Sequence, residues 1–112
     1  MQNTNVLSAK LLPKITIQEK KLTVLLAQDN GNFCASCPEL DLITEMESEE
    51  ATLEDLLEAM QDYAREYLAE LSLYRNSPNR AHHYPYIRAI AACENKWDLK
   101  SMIEIRYGYL YV

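Results

Sequence analysis

The sequence has few of the residues that interrupt regular structure. It contains two glycines and four prolines in 112 residues, and 48% of its residues are hydrophobic. This composition excludes a disordered or fibrous chain and favours one domain with a single core, 1–112. No apolar run approaches the roughly 20 residues that span a bilayer. Met1–Ala9 lacks a basic segment followed by an apolar one, so we expect no signal peptide and reduced cysteines in a cytoplasmic protein.

Basic residues are missing from the middle of the chain. No Lys or Arg occurs between Leu22 and Ala64, whereas eleven Asp and Glu residues do, and the net charge is −6. A surface of one sign repels phosphate backbones and attracts partners of the opposite sign. This half is therefore not expected to bind nucleic acid. It is either a solvated face that keeps the protein soluble or a docking surface for a basic protein.

The first half of the chain predicts an antiparallel meander. Leu22–Ala27, Phe33–Cys37 and Leu42–Met46 have strand composition, and Asp29–Asn32 contains the Asn-Gly pair that tight hairpin turns favour. Ile15–Ile17 is β-branched as well, and is either a separate short strand or the start of a bent first one.

A long amphipathic helix is predicted to follow, from an N-cap at Thr52 to an end near Tyr74. Apolar residues recur there at spacings of three and four: Leu53, Leu56, Leu57, Met60, Ala64, Tyr67, Leu68 and Leu71. One such stripe covers one face of a small sheet.

The C-terminal part predicts two shorter helices and a strand. Tyr84–Cys93 has Pro85 in its first turn, and Asp98–Glu104 follows with Trp97 at its entrance. Ile103–Val112 alternates with period two and predicts a final strand. The expected fold class is α+β: a two-layer antiparallel meander packed by one long helix (core 14–74), with a helical C-terminal extension and terminal strand (79–112).

The cysteines have one spacing that is found in metal and redox sites. Cys34 and Cys37 form a CxxC pair, but residues i and i+3 of a strand point to opposite faces. A zinc site made of both, Cys93 and a histidine is conceivable. Small half-buried strand residues are the favoured interpretation.

No catalytic apparatus is visible in the sequence. His82 and His83 suggest an acid–base or metal site, but adjacent histidines in a regular element are not expected to face one pocket, so we assign this segment to packing on the long helix. The acidic pairs at 49–50 and 54–55 lack the glycine-bearing loop of a calcium site. Phosphate-loop, dinucleotide and hydrolase motifs are absent. We therefore predict no enzyme activity, no cofactor and no metal.

The order of several motifs resembles the HicB family of type II toxin–antitoxin proteins. The resemblance covers roughly Leu22 to Leu68: a strand, the Asn30–Phe33 hairpin, the Cys37–Leu40 bend, a third strand and the Glu50–Ala59 helix start. It implies a β-β-β-α-β domain that binds a small basic HicA-type mRNA-cleaving toxin and covers its active site.

The C-terminal extension differs from the DNA-binding modules in which many members of that family end. Its basic residues are sparse and mixed with acids: Arg88, Lys96, Lys100 and Arg106. Direct DNA binding is therefore not expected.

Two functions from different classes follow. The first is a HicB-like antitoxin whose acidic face binds the toxin through Glu45, Glu47, Glu49, Glu54, Asp55 and Glu58. The alternative is a stand-alone homo-oligomeric scaffold, or a small-ligand-binding domain of the same fold, with no toxin partner.

A homodimer or larger homo-oligomer is also predicted, because a meander leaves exposed edges to which a terminal strand can pair across subunits. The expected interface residues are Tyr107, Tyr109, Leu110 and Tyr111. The other possibility is that the terminal strand closes its own sheet.

Overall fold

A computed structural model describes residues 19–109. Its elements, in chain order, are strands β1 (Leu22–Asp29), β2 (Asn32–Cys37) and β3 (Leu42–Met46), helices α1 (Glu49–Ala69) and α2 (Leu71–Arg75), a 3₁₀ helix (Ala81–His83), helices α3 (Tyr84–Ala91) and α4 (Lys96–Ser101), and strand β4 (Ile103–Tyr109). The expectations for Ile15–Ile17, Leu110 and Tyr111 lie outside the described residues. None of the helices within 19–109 has the length and apolar character needed to span a membrane.

The four strands form one sheet in the order β3-β2-β1-β4. The β1–β2 and β2–β3 pairs are antiparallel, which confirms the predicted meander. The first hairpin turns at Asn30 and Gly31, both of which have positive φ angles (48° and 87°), as the Asn-Gly pair predicts. Strand β4 runs parallel to β1, with Leu22 opposite Ile103, so the terminal strand completes the sheet of its own chain.

The helices cover one face of this sheet, which confirms the α+β two-layer class. Leu22, Val24 and Leu26 alternate along β1 and are buried on the helix side. Helix α1 packs on β2 and β3, and α3 packs beside α1. The buried face of α1 includes Leu56 and Met60, so the predicted stripe forms the centre of the core.

Both ends of the long helix differ from the prediction. Its N-cap is Ser48, whose Oγ accepts a hydrogen bond from the N–H of Ala51 (3.0 Å). Thr52 lies one turn inside the helix, where its buried hydroxyl donates to the Ser48 carbonyl oxygen (2.6 Å). The helix ends at Ala69 because Glu70 leaves the helical region (φ −122°, ψ 44°), and α2 starts at the next residue.

The stripe also contains one misassigned residue. Leu68, predicted to be in the core, is 39% exposed.

The last two helices are shorter than expected. Helix α3 ends at Ala91 and not at Cys93. Helix α4 is Lys96–Ser101 and not Asp98–Glu104, because the Asn95 Oδ1 atom caps it by accepting from the N–H of Asp98 (3.0 Å). Trp97 consequently lies inside the helix, where it is 79% exposed.

Candidate partner-binding site

A cavity of about 690 Å³ lies where the β1–β2 turn, the end of β4 and the start of α1 meet. We call it the hairpin-end cavity. Its lining includes Leu26, Phe33, Glu49, Tyr107 and Tyr109. It therefore combines apolar and aromatic surface with one carboxylate, a combination suited to binding a side chain that is both long and cationic.

The parallel pairing of β4 with β1 determines which side chains reach this cavity. Tyr107 stands beside Leu26 in the register, so its side chain projects on the helix side of the sheet. There its hydroxyl donates to the Glu49 carboxylate in the first turn of α1 (Oη to Oε2, 3.2 Å). This hydrogen bond to Glu49 is the main cause of a raised pKa for Tyr107. Tyr107 is nevertheless 70% exposed and Tyr109 87% exposed, so both rings are available for contact.

A second cavity, of about 450 Å³, adjoins the same turn. Asn32, Glu45, Glu47 and Ser48 are among the residues that line it, and the Asn32 amide donates to Glu45 (Nδ2 to Oε2, 3.2 Å). The structure thus brings Glu45, Glu47 and Glu49 of the predicted partner-binding set to the hairpin end of the sheet. Within residues 19–109, none of these three carboxylates forms an ion pair with a Lys or Arg.

The other three predicted acids have partners inside the protein. Lys96 of α4 forms ion pairs with Glu54 and with Glu58 (Nζ to Oε1 of Glu58, 3.3 Å). The hydrogen bond from Lys96 is the main cause of a lowered pKa for Glu54. Asp55 accepts a hydrogen bond from the Thr44 hydroxyl of β3. The acidic residues form one run in the sequence, but in the fold Lys96 partly neutralises its second half by pairing with Glu54 and Glu58.

The predicted tyrosine interface is only partly within the described residues. Tyr107 and Tyr109 line the hairpin-end cavity, next to the acids of the predicted toxin-binding set. Sequence reasoning assigned the tyrosines and the acids to two separate surfaces. The parallel register of β1 and β4, which places them together, was not predicted.

The three cysteines are free thiols, and within residues 19–109 none of them belongs to a group of three or more potential metal ligands. Cys37 is fully buried, and burial followed by the nearby Glu39 charge raises its pKa to about 12. Burial also raises the pKa values of Cys34 and Cys93. A raised pKa disfavours the thiolate form in which a cysteine acts as a nucleophile.

His83 packs on the long helix, as predicted for this segment, but the rings of His82 and His83 do not diverge. The His83 ring is buried, and its Nδ1 atom lies 2.7 Å from the Tyr63 hydroxyl of α1. The centroid of the His82 ring is only 4.3 Å from that of His83. The expectation of divergent side chains was wrong because the two residues sit in a single 3₁₀ turn, where rotation about the side-chain bonds brings the rings together.

Comparisons with known proteins agree on one class. A family model described as PHD-like, "antitoxin of toxin-antitoxin, RelE / RelB, TA system", matches residues 1–105. A crystal structure from Syntrophomonas wolfei subsp. wolfei, described as the antitoxin part of a proposed toxin/antitoxin system, is similar, with a TM-score of 0.71 and 30% sequence identity. That match covers 79% of this chain and 64% of the other, which is thus the longer of the two. No protein with a curated description matches.

Proposed function

The chain belongs to the PHD-like family of antitoxins from toxin–antitoxin systems, and from this premise we propose that it binds a basic toxin protein at the hairpin end of its sheet. One observation carries the proposal. Glu45, Glu47 and Glu49 lie around two cavities at that end, without a cationic partner among residues 19–109 and beside exposed tyrosines. This surface supplies both the charge and the apolar contact area that a basic partner needs.

The two kinds of residue have different roles in this proposal. The carboxylates attract a positively charged surface and raise the association rate, an effect that salt screens. Tyr107 and Tyr109 provide aromatic contact area, and residues of this type dominate the energy that holds interfaces together. Because Glu54 and Glu58 already pair with Lys96, we place the centre of the interface at the hairpin end rather than along α1.

The family description favours a RelE-type toxin as the partner class. The HicB resemblance suggests a HicA-type toxin instead, but it covers roughly Leu22 to Leu68, whereas the family model spans residues 1–105. The HicB assignment itself is not confirmed by the comparisons. We propose the RelE-type partner first and the HicA-type partner second, with a non-catalytic, cytoplasmic role in either case.

The experiment measures binding of the purified full chain to a small basic toxin of the RelE type, the partner class proposed first. We expect the double charge reversal E45K/E47K to weaken binding by about tenfold or more at low salt, mainly through slower association. The matched control is E70K/E94K, which makes the same change in net charge at two exposed acids outside both cavities. The control is expected to bind within about threefold of the parent protein.

Equal losses in the two double variants would contradict a local site, because they would indicate an effect of net charge alone. Recovery of the chain without any basic partner, as a discrete homo-oligomer from lysate of its own host, would instead favour the stand-alone scaffold.

A further inference from the structure

Three metal-ligating side chains from two distant segments meet outside the hairpin-end cavity. Asp41 lies in the β2–β3 turn, and His82 and His83 lie in the 3₁₀ helix. One donor atom from each lies within 4.8 Å of the other two. Within residues 19–109 this is the one group of three or more such side chains brought so close.

His83 is held in place by contacts on both sides of its ring. An Nη1–H of Arg80 donates to the Tyr63 hydroxyl oxygen (3.3 Å), and the Tyr63 hydroxyl lies 2.7 Å from His83 Nδ1. His83 Nε2 lies 3.2 Å from the Asp41 Oδ2 atom. A histidine that binds a metal characteristically has its second ring nitrogen hydrogen-bonded in this way, which fixes the direction of the ring.

The other two donors can adjust to an incoming ion. Only 1% of the His83 side chain is exposed, but 71% of the Asp41 side chain is, and His82 is also exposed. Because the three donors all lie within 4.8 Å of one another, an ion placed about 2.0–2.2 Å from the fixed His83 atom is about 3.2 Å or less from the other two, which therefore move inward by about 1 Å. Rotation of two exposed side chains toward a fixed buried one is sufficient for this change.

We propose that Asp41, His82 and His83 bind a divalent transition-metal ion of the Zn²⁺ class, with water as the fourth ligand. Two imidazoles and one carboxylate match the nitrogen and oxygen ligands of zinc, and they disfavour the hard ions Mg²⁺ and Ca²⁺, which prefer oxygen alone. Binding through His83 Nε2 requires the tautomer whose ring proton is on Nδ1, where it faces the Tyr63 oxygen. The bound ion joins the β2–β3 turn to the segment before α3.

The test is a titration of the full chain, free of any affinity tag, with ZnCl₂ followed by calorimetry. We expect one ion per chain and a rise in the melting temperature with Zn²⁺. H82A removes an exposed ligand and is expected to weaken Zn²⁺ binding by at least about tenfold. Loss of a residue that only hydrogen-bonds to a metal ligand already weakens binding by about that factor. H83A is not used, because its side chain is buried and its loss would disturb the fold.

The matched control is C34S/C93S, which removes the two partly exposed thiols, and it is expected to bind Zn²⁺ as the parent does. CoCl₂ provides a second readout, since Co²⁺ bound by nitrogen and oxygen lacks the intense absorption of a thiolate complex. Unchanged Zn²⁺ affinity in H82A, or loss of binding in C34S/C93S alone, would overturn the proposal. Neither result would bear on toxin binding at the hairpin end, because these residues line neither of its two cavities.

Discussion

Glu39 shows how one side chain can replace a missing backbone partner. Strand β2 ends at Cys37, and Pro38 turns the chain away from β1. The Glu39 carboxylate then accepts the N–H of Thr23 (2.9 Å) through Oε1 and the Thr23 hydroxyl (2.8 Å) through Oε2. The bend thus satisfies a β1 donor beyond the end of β2. This explains the use of an acid at this position without reference to a partner protein.

Replacing this carboxylate is expected to lower stability. E39Q keeps the shape of the side chain but weakens the charge-assisted hydrogen bonds, so we expect the free energy of unfolding to fall by about 1–2 kcal/mol in urea titrations. The control E47Q removes a charge from an exposed acid in the β3–α1 connection and is expected to change stability by less than about 0.5 kcal/mol. Equal losses in both variants would contradict the assignment of the effect to the Thr23 contacts.

The loss of stability in E39Q is expected to depend on pH, and the pKa of Glu39 determines in which direction. Burial alone would raise the pKa of Glu39, but its hydrogen bonds together, those from Thr23 first and then those from its own backbone and the Cys37 thiol, outweigh burial and hold the pKa below its ordinary value of 4.5. A group with a lowered folded-state pKa stabilises the protein above its unfolded pKa and loses that effect as the pH falls through the folded pKa. The stability difference between the parent and E39Q is therefore expected to be full at pH 7 and to shrink below about pH 4. A difference that grows on acidification would contradict this sign.

At the scale of the element, the N-terminus of α1 depends on a residue just outside it. The Ser48 hydroxyl satisfies an N–H of the first turn, so S48A is expected to cost about 1 kcal/mol in the free energy of unfolding. The control is S72A, an exposed serine in α2, for which a change below about 0.5 kcal/mol is expected. Thermal or urea unfolding followed by circular dichroism measures both, and a neutral S48A would contradict the capping assignment.

The elements themselves were predictable because each carries a periodic pattern that repeats the same information many times. Strand composition identified β1, alternation identified β4, and the stripe around Leu56 and Met60 identified α1. Element ends were less predictable, since a single contact decides each of them. Asn95 caps the start of α4, and Glu70 interrupts the long helix. Asn and Glu also occur at many positions where no helix begins or ends, so the residue type alone does not identify these boundaries.

The candidate site was predictable in its charge but not in its extent. The acids between Leu22 and Ala64 were visible as a run, and half of the predicted set does lie around the hairpin end. Lys96, which pairs with Glu54 and Glu58, is 38 residues or more away in sequence. Contacts of this kind depend on the packing of α4, and local patterns carry no information about such packing.

At the scale of the whole molecule, β4 has an outer edge with which no strand of residues 19–109 pairs. It is the last strand of the sheet, and its Tyr109 is 87% exposed. We predict that this edge forms the homodimer interface by pairing of its backbone N–H and C=O groups, which leaves the Tyr107 and Tyr109 rings on the helix side of the sheet for the toxin. Because lysine on an edge opposes strand pairing, Y109K is expected to shift the protein from dimer to monomer in size-exclusion chromatography with light scattering.

The control for this prediction is W97K, which replaces a similarly exposed aromatic residue on α4 (79% exposed). It is expected to remain dimeric. A dimer in both variants would show that the β4 edge is not the interface, and a monomeric parent protein would contradict the predicted homodimer itself.

The pairing of β1 with β4 also determines the order in which the chain can fold during synthesis. Leu22 and Ile103 are neighbours in the sheet, so β1 emerges from the ribosome long before the strand that protects its edge. At translation rates of about 5–20 residues per second, that interval is about 4–16 s. During this interval the edge of β1 that later pairs with β4 is exposed, and its backbone groups can form hydrogen bonds with a strand of another molecule. We expect the complete sheet to form slowly, because the contact between β1 and β4 forms last and joins residues at opposite ends of the described chain.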